Sequence, residues 1–246
     1  MHYEKKFNYL KQIIKKEKPI IVEVGSHWGQ DTVRMIQTFK NVEIHCFEPH
    51  PTSAVVFKKL TKLALDGKKM KILGKELKFN DASVTFNELA VSDVEDYLDF
   101  YCTYRDPRES DKNYIERWIV GDVYFDHKTF TQPNLIAADG SSLNMLKKNW
   151  NHKVIKVKTV PLDKWASNRN IKTIDLLWID VQGHEKQVIK GAINTLKNVE
   201  FIIMETGESE QYEGAMTLQQ TVEFMKGYGF QKIKNLGNDA VFRRKK

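Results

Sequence analysis

The sequence predicts an α/β fold in which helices cover both faces of a mostly parallel sheet. Short runs of Val, Ile, Leu and Phe alternate with helical patterns at the spacing of βα units. The run IDLLWID at 174–180 is apolar up to its last residue and too short for a helix, which marks a strand buried on both faces. Successive runs end on carboxylates, at Glu48, Asp180 and Glu205, and an open α/β sheet gathers its chemistry at such strand ends.

Each element follows from a local signal. In residues 1–18, Tyr3, Phe7, Leu10 and Ile14 form the stripe of a basic amphipathic helix that packs on the domain or rests on a membrane surface. This segment lacks the apolar core of a signal peptide. Residues 19–246 make the domain. Pro19 to Val24 is its first strand, followed by the loop GSHWGQ and a helix through Phe39. Val42 to Phe47 is the second, and Pro49, Pro51 and Thr52 then open a helix with Val56, Leu60, Leu63 and Ala64 inward. Val84 to Val91 reads as the third strand and Tyr97 to Cys102 as an extended segment.

After the strand at 174–180, Val188, Ala192, Ile193 and Leu196 mark one face of a helix. Phe201 to Met204 is a strand, and Thr217 with Gln220 forms a capping box for a helix stopping near Gly227. Phe230 to Ile233 and Ala240 to Arg243 close as a hairpin across NLGND. The irregular stretch 103–140 is too long for a simple connection, and Trp118, Tyr124, Phe125 and Phe130 argue against disorder. It reads as a substrate-side insertion, with a packing or oligomer-interface role as the alternative.

Composition narrows the function. No run reaches the roughly 20 apolar residues that span a bilayer. Cys46 and Cys102 lack metal-ligand spacing and read as reduced thiols of a cytoplasmic protein. The net charge of +7 comes from 32 Lys and only 7 Arg scattered along the chain, which speaks against a nucleic-acid groove. An acidic sugar, lipid or nucleotide-linked substrate stays open, as does the oligomeric state.

Three strand ends carry the candidate site. In VEVGSHWGQ, Gly25 turns the chain off the strand, Gly29 permits close approach, and Glu23 can accept from a cationic or hydroxyl-bearing ligand. The GxG pair of a dinucleotide fingerprint is missing, and acidic surroundings suit a positively charged cofactor better than a pyrophosphate. Glu48 lies 23 residues beyond Gly25, near the offset at which an acid holds ribose hydroxyls, although a helix-start carboxylate would look the same. Asp180 and His184 arrive at a buried strand end, where capping and solvation are the bland readings. Glu205 brings a second carboxylate to that rim, for a cation, a hydroxyl, a shared proton, a cap or an ion pair.

The motifs VEVGSHWGQDT, FEPHP, NELAVSD, GSSL, VKTVPLDKW, IDVQGHEKQVIKGA and IIMET occur in this order. In combination they resemble the FkbM family of S-adenosylmethionine-dependent methyltransferases over residues 19–240. The resemblance implies a class I methyltransferase (Rossmann-like) fold: a seven-stranded, mostly parallel sheet with an antiparallel C-terminal hairpin strand. It implies O-methylation of a hydroxyl, commonly of a sugar or a polyketide-type natural product. It would place Glu23, Gly25, Ser26 and Gly29 around the cofactor's amino-acid end, Glu48 at the ribose, and Glu88 to Ala90 near the adenine. Gln182 stands where the family usually has Glu, which disfavours a divalent cation without removing it from consideration.

The expected acceptor is a glycan or small molecule, methylated in line. Asp180 and His184 are the candidates for managing the hydroxyl proton, since an imidazole of pKa about 6.5 suits that task. Ser141, Ser142 and Glu205 are expected on the acceptor side. Two other readings compete: a nicotinamide-dependent oxidoreductase, and a non-catalytic nucleic-acid-binding protein with salt-dependent affinity.

Overall fold

A computed structural model describes residues 2–67, 70–72, 75–103, 141–145, 152–207 and 212–245. The insertion expected at 103–140 lies outside the described residues from 104 onward. The strands are β1 (Ile20–Val24), β2 (Val42–Phe47), β3 (Met70–Ile72), β4 (Lys75–Leu77), β5 (Ala82–Asn87) and β6 (Ala90–Val91). They continue with β7 (Tyr97–Thr103), β8 (His152–Val160), β9 (Ile174–Ile179), β10 (Val199–Glu205), β11 (Phe230–Leu236) and β12 (Asp239–Arg244). The helices are α1 (His2–Ile13), α2 (Gln30–Thr38), α3 (Pro51–Leu65), α4 (Leu162–Asn168), α5 (Glu185–Lys190) and α6 (Leu218–Gly227).

The main sheet has seven strands in the order β11-β12-β10-β9-β1-β2-β5. Its pairings are parallel except those of β12, which runs antiparallel to both β10 and β11. From β1 the chain winds outward through β2 to β5, then returns to β9 on the other side of β1. The order therefore reverses between β1 and β9, where such sheets open a crevice beyond their carboxyl ends.

Alternation along the buried strands feeds two cores. On β9, Leu176 and Trp178 face a cluster with Phe7, Leu10, Met35, Phe57 and Leu60 from α1, α2 and α3. Leu177 and Ile179 face the opposite cluster, with Trp165 of α4, Val188 of α5 and Met225 of α6. The apolar stripe of α1 is thus committed to the protein: Phe7, Leu10 and Ile14 are buried, and the Phe7 ring stacks on Trp178 at 5.7 Å. Among the described residues no helix is long and apolar enough to cross a membrane.

The structure departs from the sequence reading in three places. The strand expected at Val84 to Val91 breaks at Glu88 and Leu89: β5 stays in the main sheet, while Ala90–Val91 pairs with β8 in a separate sheet of order β6-β8-β7. The nine-residue β8 was not anticipated, although HKVIKVKTV alternates lysines with apolar residues, as a half-solvated strand does. Finally, α5 stops at Lys190, so Ala192 and Leu196 are buried but Ile193 is 54% exposed. The pairing of β7 with β8 matters for the site. Residues 141–145 join it through the bridge between Ser142 and Tyr101 of β7 and reach the sheet's carboxyl edge.

Candidate active site

A cavity of about 240 Å³ opens at the reversal between β1 and β9. Its walls come from the ends of β1, β2, β6 and β9 and from Ser141 and Leu143. Gly25, Ser26, Glu48, Ala90, Ser141, Asp180 and His184 all line it, so strand ends far apart in sequence meet at one place. Asp31 lines it as well, from the first turn of α2. An acid in a helix's first turn was the signal available for Asp31.

The loop after β1 is organised by β2. The amides of Gly25 and Ser26 both donate to the Phe47 carbonyl at 3.0 Å, and the His27 amide donates to a Glu48 carboxylate oxygen at 2.8 Å. These N–H groups are consequently committed to the protein rather than aimed at a ligand, contrary to the usual use of a glycine loop. Glu48 receives a further amide, from His50, on its other oxygen at 2.7 Å. Burial nevertheless lifts its carboxyl to about 7, against the pull of the two amides.

Two residues assigned to the cofactor by resemblance act underneath the cavity. Glu23 is buried between β1 and α2, bonded by the Thr32 hydroxyl and contacted by Cys46, and burial pushes its carboxyl well up. A Cβ on Gly29 would lie 2.9 Å from the Phe57 ring, so this glycine lets α3 approach rather than a ligand. Glu88 is also displaced from the cavity: it is a surface residue paired with Lys58 at 2.8 Å, while its neighbours Leu89 and Ala90 supply the wall.

At the end of β9 the chain turns through Gln182, a non-glycine residue at φ 54°. Its amide nitrogen donates to an Asp180 oxygen and to a Glu205 oxygen, each at 2.6 Å, and its amide oxygen accepts from the Tyr212 hydroxyl at 3.0 Å. Burial, then the Asp180 charge, lifts Glu205 to about 8, and burial also raises Asp180. Two buried carboxyls this close hold one proton between them near neutral pH. Behind Glu205, its register partner Asp239 forms an ion pair with Lys6 of α1. Among the described residues no group of three His, Cys, Asp or Glu side chains is arranged to hold a metal ion.

His184 lines the cavity but is not a free base. One ring nitrogen meets the Asn144 amide oxygen at 2.7 Å and the other the Ser92 hydroxyl at 3.0 Å. The Asn144 orientation is fixed because its nitrogen donates to the carbonyls of Gly183 and Glu213, so Nδ1 of His184 carries the proton. Burial lowers the imidazole to about 4. With both ring nitrogens engaged, His184 ties the returning segment 141–145 to the β9 turn in the ligand-free protein. Ser142 has the same function: its hydroxyl donates to the Val181 carbonyl at 3.1 Å and accepts from the Asn144 amide at 2.9 Å. Asn144 had no sequence signal, since its partners come from three separate segments.

Buried acids set the stability profile. Glu48 and Glu185 at about 7 and Glu205 at about 8 keep protons that an unfolded carboxyl has lost above about 4.5. Above about pH 6.5 the folded state alone binds these protons, so stability falls as pH rises. Below that, His50 and His184, both lowered to about 4 by burial, act in the opposite sense. The ligand-free protein is expected to lose roughly 2–3 kcal/mol, or about 5–10 °C in Tm, between pH 6.5 and 8.5, Glu205 contributing most. Scanning calorimetry across that range checks it; a Tm that rises toward pH 8.5 would contradict the assignment of these acids.

A second cavity, of about 460 Å³, lies beyond Gln182 over the ends of β9, β10 and the β11–β12 turn. Glu205, expected on the acceptor side, lines this cavity and not the first; Gln182 is the residue common to both.

The chain is similar to known methyltransferases. A 2-O-methyltransferase, NoeI of Sinorhizobium fredii, is 27% identical over 216 residues, covering 88% of this chain and 74% of its own. A hexuronic acid methyltransferase, AglP of Haloferax volcanii, is 31% identical over 90 residues, covering 35% of this chain and 31% of its own. Among solved structures, a Clostridium thermocellum protein described as an rRNA-methylase has a TM-score of 0.47 at 11% identity, covering 99% of this chain and 96% of its own. The Methyltransferase FkbM domain matches residues 23–232, from β1 into β11, and so takes in the whole described lining of the first cavity but not Asn235, Gly237 and Asn238 of the second. The chain belongs to the FkbM methyltransferase family.

Proposed function

We propose that this protein transfers a methyl group from S-adenosylmethionine to a sugar hydroxyl. The observation that carries the reading is the charge of the first cavity. Its described walls include Asp31, Glu48 and Asp180 and no Lys or Arg. Such a wall fits an α-ammonium, a sulfonium and a ribose diol, whereas a dinucleotide would bring two phosphates against carboxylates. The cofactor supplies an electrophilic methyl on a sulfonium. Glu48, held by two amides, has lone pairs left for the ribose hydroxyls, and Gly25 keeps the floor open. Asp180 takes the acceptor's proton, while Gln182 positions its carboxylate. The printed activities of NoeI and AglP support a hydroxyl and a sugar as the acceptor class. Cys46 and Cys102, buried and not joined in a disulfide, fit a cytoplasmic setting.

Cofactor binding should then depend on pH with a definite sign. Glu48 accepts ribose hydrogens best when ionised, and in the free protein its carboxyl titrates at about 7. The dissociation constant of S-adenosylhomocysteine should be flat above that pH and rise up to about tenfold per unit below it. Glu48→Gln should weaken binding and flatten the slope. Titration calorimetry from pH 5.5 to 8.5 measures both, and tight binding of NAD in place of S-adenosylhomocysteine would overturn the assignment.

A further inference from the structure

We propose that the second cavity receives the acceptor sugar and selects an uncharged ring over a uronic acid. This rests on the sugar O-methyl-transfer reading and narrows its substrate class. The cavity shares only Gln182 with the cofactor site, and the amide of Gln182 binds Asp180 on one side and Glu205 on the other. A ring seated there meets the cofactor site at the residue that positions Asp180.

The walls determine which ring fits. Glu185 and Glu205 line the cavity, and no Lys or Arg does among the described residues. Asp239 stands directly behind Glu205 in the sheet register, and its charge is already taken by Lys6. A carboxylate on the incoming sugar would thus lose its water without gaining a cation, beside acids that repel it once they ionise.

Neutral hydroxyls find better partners. The side-chain amides of Asn235 and Asn238, from the β11–β12 turn, line the cavity and make no hydrogen bond among the described residues. Each offers a donor and an acceptor. Glu205 and Glu185, lifted by burial to about 8 and about 7, can donate or accept as the ring requires. Met216, Leu218 and Tyr212 supply apolar surface for the C–H face of a ring. The relative AglP is named for a hexuronic acid, so the inference separates this chain from it.

The test uses the full-length protein saturated with S-adenosylhomocysteine and matched pairs of methyl glycosides. Glucoside, galactoside and mannoside are each compared with the uronide that differs only in a C6 carboxylate. Binding is followed by saturation-transfer NMR, and turnover by methyl transfer from S-adenosylmethionine. At least one neutral glycoside is expected to bind about tenfold or more tightly than its uronide, with the gap widening above pH 8. Asn235→Lys replaces an amide that serves the neutral ring with a cation, and should raise uronide affinity at least about fivefold while weakening the neutral partner. Equal or tighter uronide binding in every pair overturns the selectivity and leaves sugar methylation standing. If neither kind binds or is methylated while S-adenosylhomocysteine binds, the sugar reading fails, and this inference with it. Preference for neutral sugars that Asn235→Lys leaves unchanged moves the ring elsewhere and also overturns the assignment.

Discussion

Asp180→Asn is expected to slow methyl transfer by about 10²- to 10⁴-fold while leaving S-adenosylhomocysteine affinity within about threefold. Asp180 ends a fully buried strand and reaches the cofactor cavity, where burial raises its carboxyl. A carboxylate with a raised pKa is a better match to an alcohol proton than a solvated one. The neighbouring Glu205 keeps the proton the pair shares, which leaves Asp180 as the accepting member. Asn retains an oxygen for the Gln182 amide now 2.6 Å from Asp180, so the turn should survive the change. Single-turnover rates paired with calorimetric S-adenosylhomocysteine titration separate chemistry from binding. A variant that keeps more than about a third of the wild-type rate would transfer the base role to another group. His184 is a poor heir, because both its ring nitrogens are engaged and its imidazole is lowered to about 4.

Gly25→Ala should cost about 3–5 kcal/mol of stability and abolish measurable cofactor binding. Gly25 has φ 87°, and a Cβ there would fall 1.8 Å from the Asp180 carbonyl oxygen. Both partners are backbone. The Asp180 amide is itself bonded to the Val24 carbonyl at 2.9 Å, so neither strand can withdraw without breaking the β1–β9 ladder. The overlap lies where the sheet order reverses, and relieving it displaces Asp180 and the cavity floor together. Thermal denaturation should show a Tm lower by roughly 6–20 °C, at about 2–4 °C per kcal/mol for a chain of this size. A variant within about 2 °C of wild type that still binds S-adenosylhomocysteine would show that the strands tolerate the insertion.

Much of this arrangement was legible in the sequence. The buried strands announced themselves as apolar runs, and Glu48 and Asp180 as carboxylates at their ends. The break after Asn87 was not legible, because Ala90 and Val91 are as strand-like as the residues before them. Only a partner from residues 152–160, far along the chain, draws them into another sheet. Glu23 and Gly29 carry the motif's pattern yet support the cavity from below, and a pattern of residue types does not distinguish a wall from its footing. His184 has the chemistry of a base, but Ser92 and Asn144 tie up its ring from positions no local signal connects to it. Nor do Asn235 at the end of β11 and Asn238 in the following turn stand out in the sequence; they line the second cavity because β12 inserts beside β10.

That insertion governs how the protein comes into being on the ribosome. Strand β12 is the last of the described strands to be synthesised, yet it lies inside the sheet, between β10 and β11. Until residues 239–244 emerge, β10 has one unpaired edge, Glu205 lacks its register neighbour, and Lys6 at the other end of the chain has no Asp239 to meet. The first cavity needs no residue beyond the start of α5 and can take shape before β12 is made. The second cavity waits for β12, so a nascent or clipped chain that lacks this strand can bear the first cavity beside an exposed, sticky strand edge.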